Sequence, residues 1–119
     1  MTKYVGRRTE IGVIVLVVDD ETKCASTLKP GHRYVKKSST GFDWGYIGPA
    51  PAQLSFAILL DHFGAPGPAL LFFHDFEREI AALNLDRWEM TTEQVEQALE
   101  RIRVFRSEAR GEKPCPDST

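Results

Sequence analysis

Apolar residues are spaced in two different ways along the chain, and the change falls just before its middle. In residues 11–18 nearly every position is apolar and β-branched side chains dominate, which predicts a strand. The polar turn Asp19-Asp20-Glu21 follows, and the return strand of the hairpin is expected over 22–28, less hydrophobic and so at a sheet edge. Residues 4–8 form a shorter candidate strand, Lys29-Pro30-Gly31 a turn, and residues 32–37 a candidate fourth extended piece. Because the 11–18 run lacks polar alternation, it is expected to be central and covered.

After residue 50 the period becomes helical. Ala52, Phe56, Leu59, Leu60 and Phe63 recur at helix spacing over 51–63, with Leu54, Ala57 and Ile58 widening the stripe, so this helix should be the most buried element. Gly64-Ala65-Pro66-Gly67-Pro68 stops it. A second helix over 68–83 should bury Ala69, Leu70, Phe73, Phe76, Ile80 and Leu83 and turn Glu77, Arg78 and Glu79 to water. Trp88 falls in the connection to a third helix, capped by Thr91 with Gln94 reaching back and running to residue 106 on an inner stripe of Val95, Ala98, Leu99, Ile102 and Phe105. The expectation is an α+β domain over 1–106, a small N-terminal antiparallel sheet of three or four strands packed on three C-terminal helices, followed by a flexible polar tail over 107–119.

Between the two halves lies the most constrained stretch, residues 41–54. Gly41, Gly45 and Gly48 alternate with Phe42, Trp44 and Tyr46, and Pro49 and Pro51 lead into the first helix. In an extended segment Phe42, Trp44 and Tyr46 share one side, with Asp43 and Gly45 on the other. The loop residues Phe42, Asp43, Trp44 and Tyr46, together with Gln53, are the candidate binding set.

Composition alters this picture little, and charge alters it more. With 119 residues and 42% hydrophobic content, one core closes without disulfides or a structural metal. Cys24 and Cys115 show no zinc or disulfide spacing, and the polar N-terminus and short apolar runs predict a cytoplasmic chain with reduced thiols and no membrane partner. The net charge is −2, yet residues 1–40 hold eight Lys and Arg against four Asp and Glu, and the remainder is acidic. That asymmetry is either an internal match or a basic face built from Arg7, Arg8, Arg33, Lys36 and Lys37.

Each candidate chemistry has a plain structural rival. A glycine-rich loop at a helix start is an anion site, but Pro49 and Pro51 each remove an N–H, and no Lys or Arg lies between Gly41 and Asp75. Aromatics in a row beside Arg33, Lys36 and Lys37 fit single-stranded nucleic acid, against core packing of the same rings and repulsion from Asp43. Asp61-His62 and His74-Asp75 lack a third ligand, so no metal or cofactor is expected. No nucleophile motif surrounds Cys24, Ser26 or Ser55; an enzyme would need a pocket gathering Asp43 with His62 or His74.

The run Gly41-Phe42-Asp43-Trp44-Gly45-Tyr46, then Gly48 and Pro51-Ala52-Gln53-Leu54, resembles the signature of an uncharacterised prokaryotic family of small domains of unknown function, a Trp-Gly-Tyr-x-Gly loop followed by Pro-Ala-x-Leu. The likeness extends to the Tyr-x-Gly-Arg-Arg start at Tyr4, the helix around Phe76, and Trp88 before a helix capped by Thr91. Gly48-Pro49-Ala50 departs from the Gly-Ser-Gly usual before that proline, which bears on any chemistry at the loop. The family carries no established activity; its members occur in phages, plasmids and other mobile elements. The resemblance therefore implies an accessory protein that binds a macromolecule, by analogy an inhibitor of host defence of the anti-CRISPR kind. A protein partner is expected first and nucleic acid second, with an enzyme sited at the loop as a further alternative. The 22–28 edge offers a route to a homodimer.

Overall fold

Residues 2–38 and 41–109 are described by a computed structural model. Strands β1 (Thr2–Thr9) and β2 (Gly12–Asp19) form an antiparallel hairpin closed by Glu10 and Ile11, and β3 (Ala25–Thr27) pairs with the outer side of β2. Ile11, expected inside the strand, is instead at the turn and 96% exposed. Helices α1 (Pro49–Phe63) and α2 (Pro66–Ala81) follow, then β4 (Arg87–Thr91) and α3 (Thr92–Ala109). The sheet order is β3-β2-β1-β4, all antiparallel, and the fold is α+β.

The fourth strand is not the one expected at 32–37, where the chain makes a turn around Gly31. It is β4, in which Trp88 and Met90 alternate inward with exposed Arg87 and Glu89. Five residues between helices look like a connection in sequence, and only the free edge of β1 makes them a strand. The hairpin β2–β3 is as expected, though β3 is shorter than the 22–28 run because Lys23 takes a left-handed turn conformation at φ 61°.

Alternation and register settle which face meets the helices. Tyr4, Val15, Trp88 and Met90 point inward and join Leu54, Phe56, Ile58, Leu59, Phe76, Ile80, Val95 and Leu99 in one core. Val5, Ile14, Leu16 and Val18 stand on the other face, where Ile14 is 41% exposed. The expectation that 11–18 is covered fails on that face, since all three helices form a single layer against the opposite one. A continuous apolar run is necessary for a doubly covered strand but does not supply the second layer.

The helix α1 is the most buried element, with every residue from Pro51 to Leu59 buried. Its C-terminus closes with Gly64 at φ 70°, whose N–H donates to the Leu60 carbonyl. In α2 the buried set is Ala69, Phe72, Phe73, Phe76, Glu77 and Ile80, while Leu70, expected inside, is 47% exposed. The capping box at α3 forms as read: Gln94 N–H donates to Thr91 Oγ1 at 3.2 Å and Thr91 N–H to Gln94 Oε1 at 2.8 Å. Phe105 departs from the expected stripe and is 57% exposed, although the second half of α3 still meets α2 through Arg101–Glu79 and Arg106–Asp75 at 2.7 and 2.8 Å. The remainder of the expected tail, 110–119, lies outside the described residues.

Candidate functional site

Trp44 anchors the loop between sheet and helices. Its indole is fully buried, donates from Nε1 to the Leu85 carbonyl at 2.7 Å, and meets the Trp88 ring edge to face with centroids 5.5 Å apart. Arg8, on the helix-facing side of β1, closes over it with its guanidinium carbon 4.7 Å from the ring centroid. The same guanidinium donates to Asp43 Oδ1 (2.9 Å), to the Trp44 carbonyl (2.8 Å) and to Asp86 Oδ1 (3.1 Å). One cation thereby ties β1, the loop and the segment before β4 together.

At Gly45 the backbone turns with φ 89°, and its N–H donates to the Ile80 carbonyl at 3.1 Å. A Cβ there would lie 2.9 Å from the Leu83 carbonyl oxygen, so only glycine fits. This turn undoes the expected alternation: Trp44 goes into the core and Tyr46 comes out, 46% exposed, with Phe42 half-buried against the core. The three rings do not share a side.

Tyr46 is nonetheless held. A Cβ on Gly48 would lie 2.9 Å from its ring, so the ring rests over bare backbone. Burial and then the nearby Asp43 carboxylate push the Tyr46 phenol up. For Asp43, burial opposes ionisation, but the Arg8 bonds, the Trp44 N–H and the Tyr46 hydroxyl outweigh it and hold the carboxyl below its ordinary range. Ile47 follows at 66% exposure, and Leu85, on the segment that receives the Trp44 indole, at 64%. Neither was singled out by sequence: Ile47 sits between Tyr46 and Gly48, and Leu85 between Asn84 and Asp86.

The start of α1 already holds an anion of its own. Gly48 N–H donates to Glu77 Oε2 at 3.1 Å, and Glu77, expected to face water, is buried to 5% exposure. A carboxylate at a helix N-terminus is stabilised by the N–H groups it meets, and here it arrives from α2.

Gln53 is not part of an exposed set either. It is fully buried, its Oε1 accepts from Lys37 N–H (2.6 Å) and Ser38 N–H (3.2 Å), and its Nε2 donates to the Pro30 (2.6 Å) and Val35 (2.9 Å) carbonyls. It clamps the 30–38 segment onto α1. The basic residues are likewise dispersed: Arg8 lies in the clamp, Arg7 on the open face of the sheet beside Arg87, and Arg33, Lys36 and Lys37 on the 30–38 segment. Lys3 pairs with Glu89 at 2.8 Å, so part of the charge asymmetry is an internal match.

His62 is 2.9 Å from Glu96, His74 is exposed on α2, and Asp43 is held by Arg8. Among the described residues no group of three His, Cys, Asp or Glu side chains is placed to hold a metal ion. No described helix is long and apolar enough to cross a membrane.

A protein family described as a family of unknown function (DUF6166) matches residues 4–101. No curated protein and no solved structure matches the chain.

Proposed function

The chain belongs to this family of unknown function, and from that premise we propose that it is a non-enzymatic binding protein whose loop side chains Tyr46 and Ile47, with Leu85 on the adjoining segment, contact a partner protein. One observation carries the reading: the loop is fastened from below by Trp44, Arg8 and Glu77 while Tyr46 and Ile47 stand exposed on it. A loop backbone already fastened loses little entropy when the side chains it carries dock, which is what an interface anchor requires. The resemblance to proteins of mobile elements extends the proposal to an accessory role, with a component of a host defence complex as the partner.

The test is affinity capture from the native cell extract, with and without nuclease, comparing the natural chain with a Tyr46→Ala/Ile47→Ser variant shown to be folded. The expected result is a nuclease-resistant protein partner whose capture falls by about tenfold or more with the variant. Capture unchanged by the variant overturns the loop as the contact. Capture lost on nuclease treatment moves the function to nucleic acid.

A further inference from the structure

On the opposite edge of the sheet from the Trp88 strand, β3 leaves a row of main-chain groups open. Asp19 N–H donates to the Cys24 carbonyl and Leu28 N–H to the Val15 carbonyl, both at 2.9 Å, so residues 24 and 28 turn their main chain toward β2. In an antiparallel ladder the direction alternates, which aims the N–H and C=O groups of Ala25 and Thr27 outward. Among the described residues no strand lies beyond them, and all three β3 residues are exposed.

Beside this edge is a cleft of about 480 Å³ between β3 and the C-terminal half of α1. Val17, Leu28, Ala57 and Leu60 give it an apolar lining, and Tyr34 stands at its side, 47% exposed. Among the described residues the one carboxylate lining it, Asp61, accepts from the buried Tyr4 hydroxyl at 2.8 Å. An open strand edge next to a groove against a helix is the arrangement that accepts an extended peptide as an added strand, with its main chain on the edge and alternate side chains in the groove.

Charge selects the occupant. From residue 22 to residue 38 the chain carries Lys23, Lys29, Arg33, Lys36 and Lys37 and no Asp or Glu. Among the described residues none of these four lysines makes an ion pair, in contrast to Lys3 and Arg8 of β1. A second copy fits poorly: antiparallel pairing of two β3 strands about Ser26 sets Lys23 opposite Lys29 of the other copy, a like-charge contact that opposes association. Nucleic acid would use the cations but leave the outward N–H and C=O pairs and the apolar groove unused.

We infer that the β3 edge and the cleft beside it form a docking site for an extended acidic peptide segment of a partner protein, added antiparallel or parallel to Ala25–Thr27 with an apolar side chain in the groove and Asp or Glu residues near Lys23 and Lys29. This site lies apart from the aromatic loop, so its test stands or falls independently of the loop variant.

The experiment is selection of short random peptides on the intact chain, followed by resynthesis of the best binder in two forms, natural and N-methylated at alternate amides. Enrichment of Asp and Glu around an apolar position is expected, with binding weakened about tenfold or more by N-methylation, by Thr27→Pro in folded protein, and by Lys23→Glu/Lys29→Glu. N-methylation leaves the protein untouched, so misfolding of a variant cannot produce the loss. Selection without acidic enrichment, or binding indifferent to N-methylation, overturns the inference. So does preferential binding of a single-stranded oligonucleotide through the same lysines, or a dimer of the chain alone that Thr27→Pro dissociates.

Discussion

Gln53 has four hydrogen-bonding positions on its amide, and the fold fills all of them with main-chain groups of residues 30–38. Gln53→Ala leaves two part-buried carbonyls and two N–H groups to find new partners, so a loss of about 3 kcal/mol in unfolding free energy is expected. Urea denaturation measures it; a loss within about 1 kcal/mol means that water replaces the amide readily. Sequence placed Gln53 in the binding loop because it belongs to the motif, and nothing local marks it as buried. Its partners lie 15 to 23 residues earlier in the chain, so its role is visible only after folding. Trp44 and Tyr46 taught a related lesson: two residues apart, they were read as equivalent, and the positive φ of Gly45 sent them in opposite directions.

Among the elements, β4 depends on a gap left for it by β1. Gly6 sits opposite Trp88 in the register, and a Cβ at Gly6 would fall 2.2 Å from the Trp88 ring. The indole therefore lies directly on the β1 backbone, its N–H buried without a hydrogen-bond partner among the described residues. Gly6→Ala must expel the ring or spread the two strands, and the expected cost is about 3 kcal/mol, read by chemical denaturation. Trp88→Leu in the same chain should recover part of that loss, which a purely conformational effect at Gly6 would not allow. The helices were legible because caps, prolines and apolar spacing agree within each segment. The strand β4 was not, since a five-residue stretch has too few positions for a period to show, and its pairing with β1 spans 80 to 88 residues.

The molecule as a whole is two layers, a sheet and a helical layer, with α1 enclosed and β3 at the rim. Stability should be graded along that axis. Amides at Ile58 and Leu59 are expected to exchange with solvent only through global unfolding, whereas those of Ala25 and Thr27 should exchange as freely as a frayed edge does. Native-state hydrogen exchange followed by NMR distinguishes the two; strong protection at Ala25 and Thr27 would mean that the edge is covered in solution. The α+β class and the order of the first three strands before α1 and α2 could be read from the change of period near residue 50. What could not be read was the count of layers, because an apolar strand carries the same residues whether one face or both are covered.

The chain contains two tryptophans, and they touch. One belongs to the loop and the other to the last strand, so their contact exists only when the loop, β1 and β4 are all in place. Their excited states are coupled through that edge-to-face contact, and the coupling vanishes as soon as either ring leaves. The protein thus carries an intrinsic optical gauge, readable by emission or circular dichroism with no attached dye, whose signal reports the docking of the loop and remains blind to events at the far rim of the sheet.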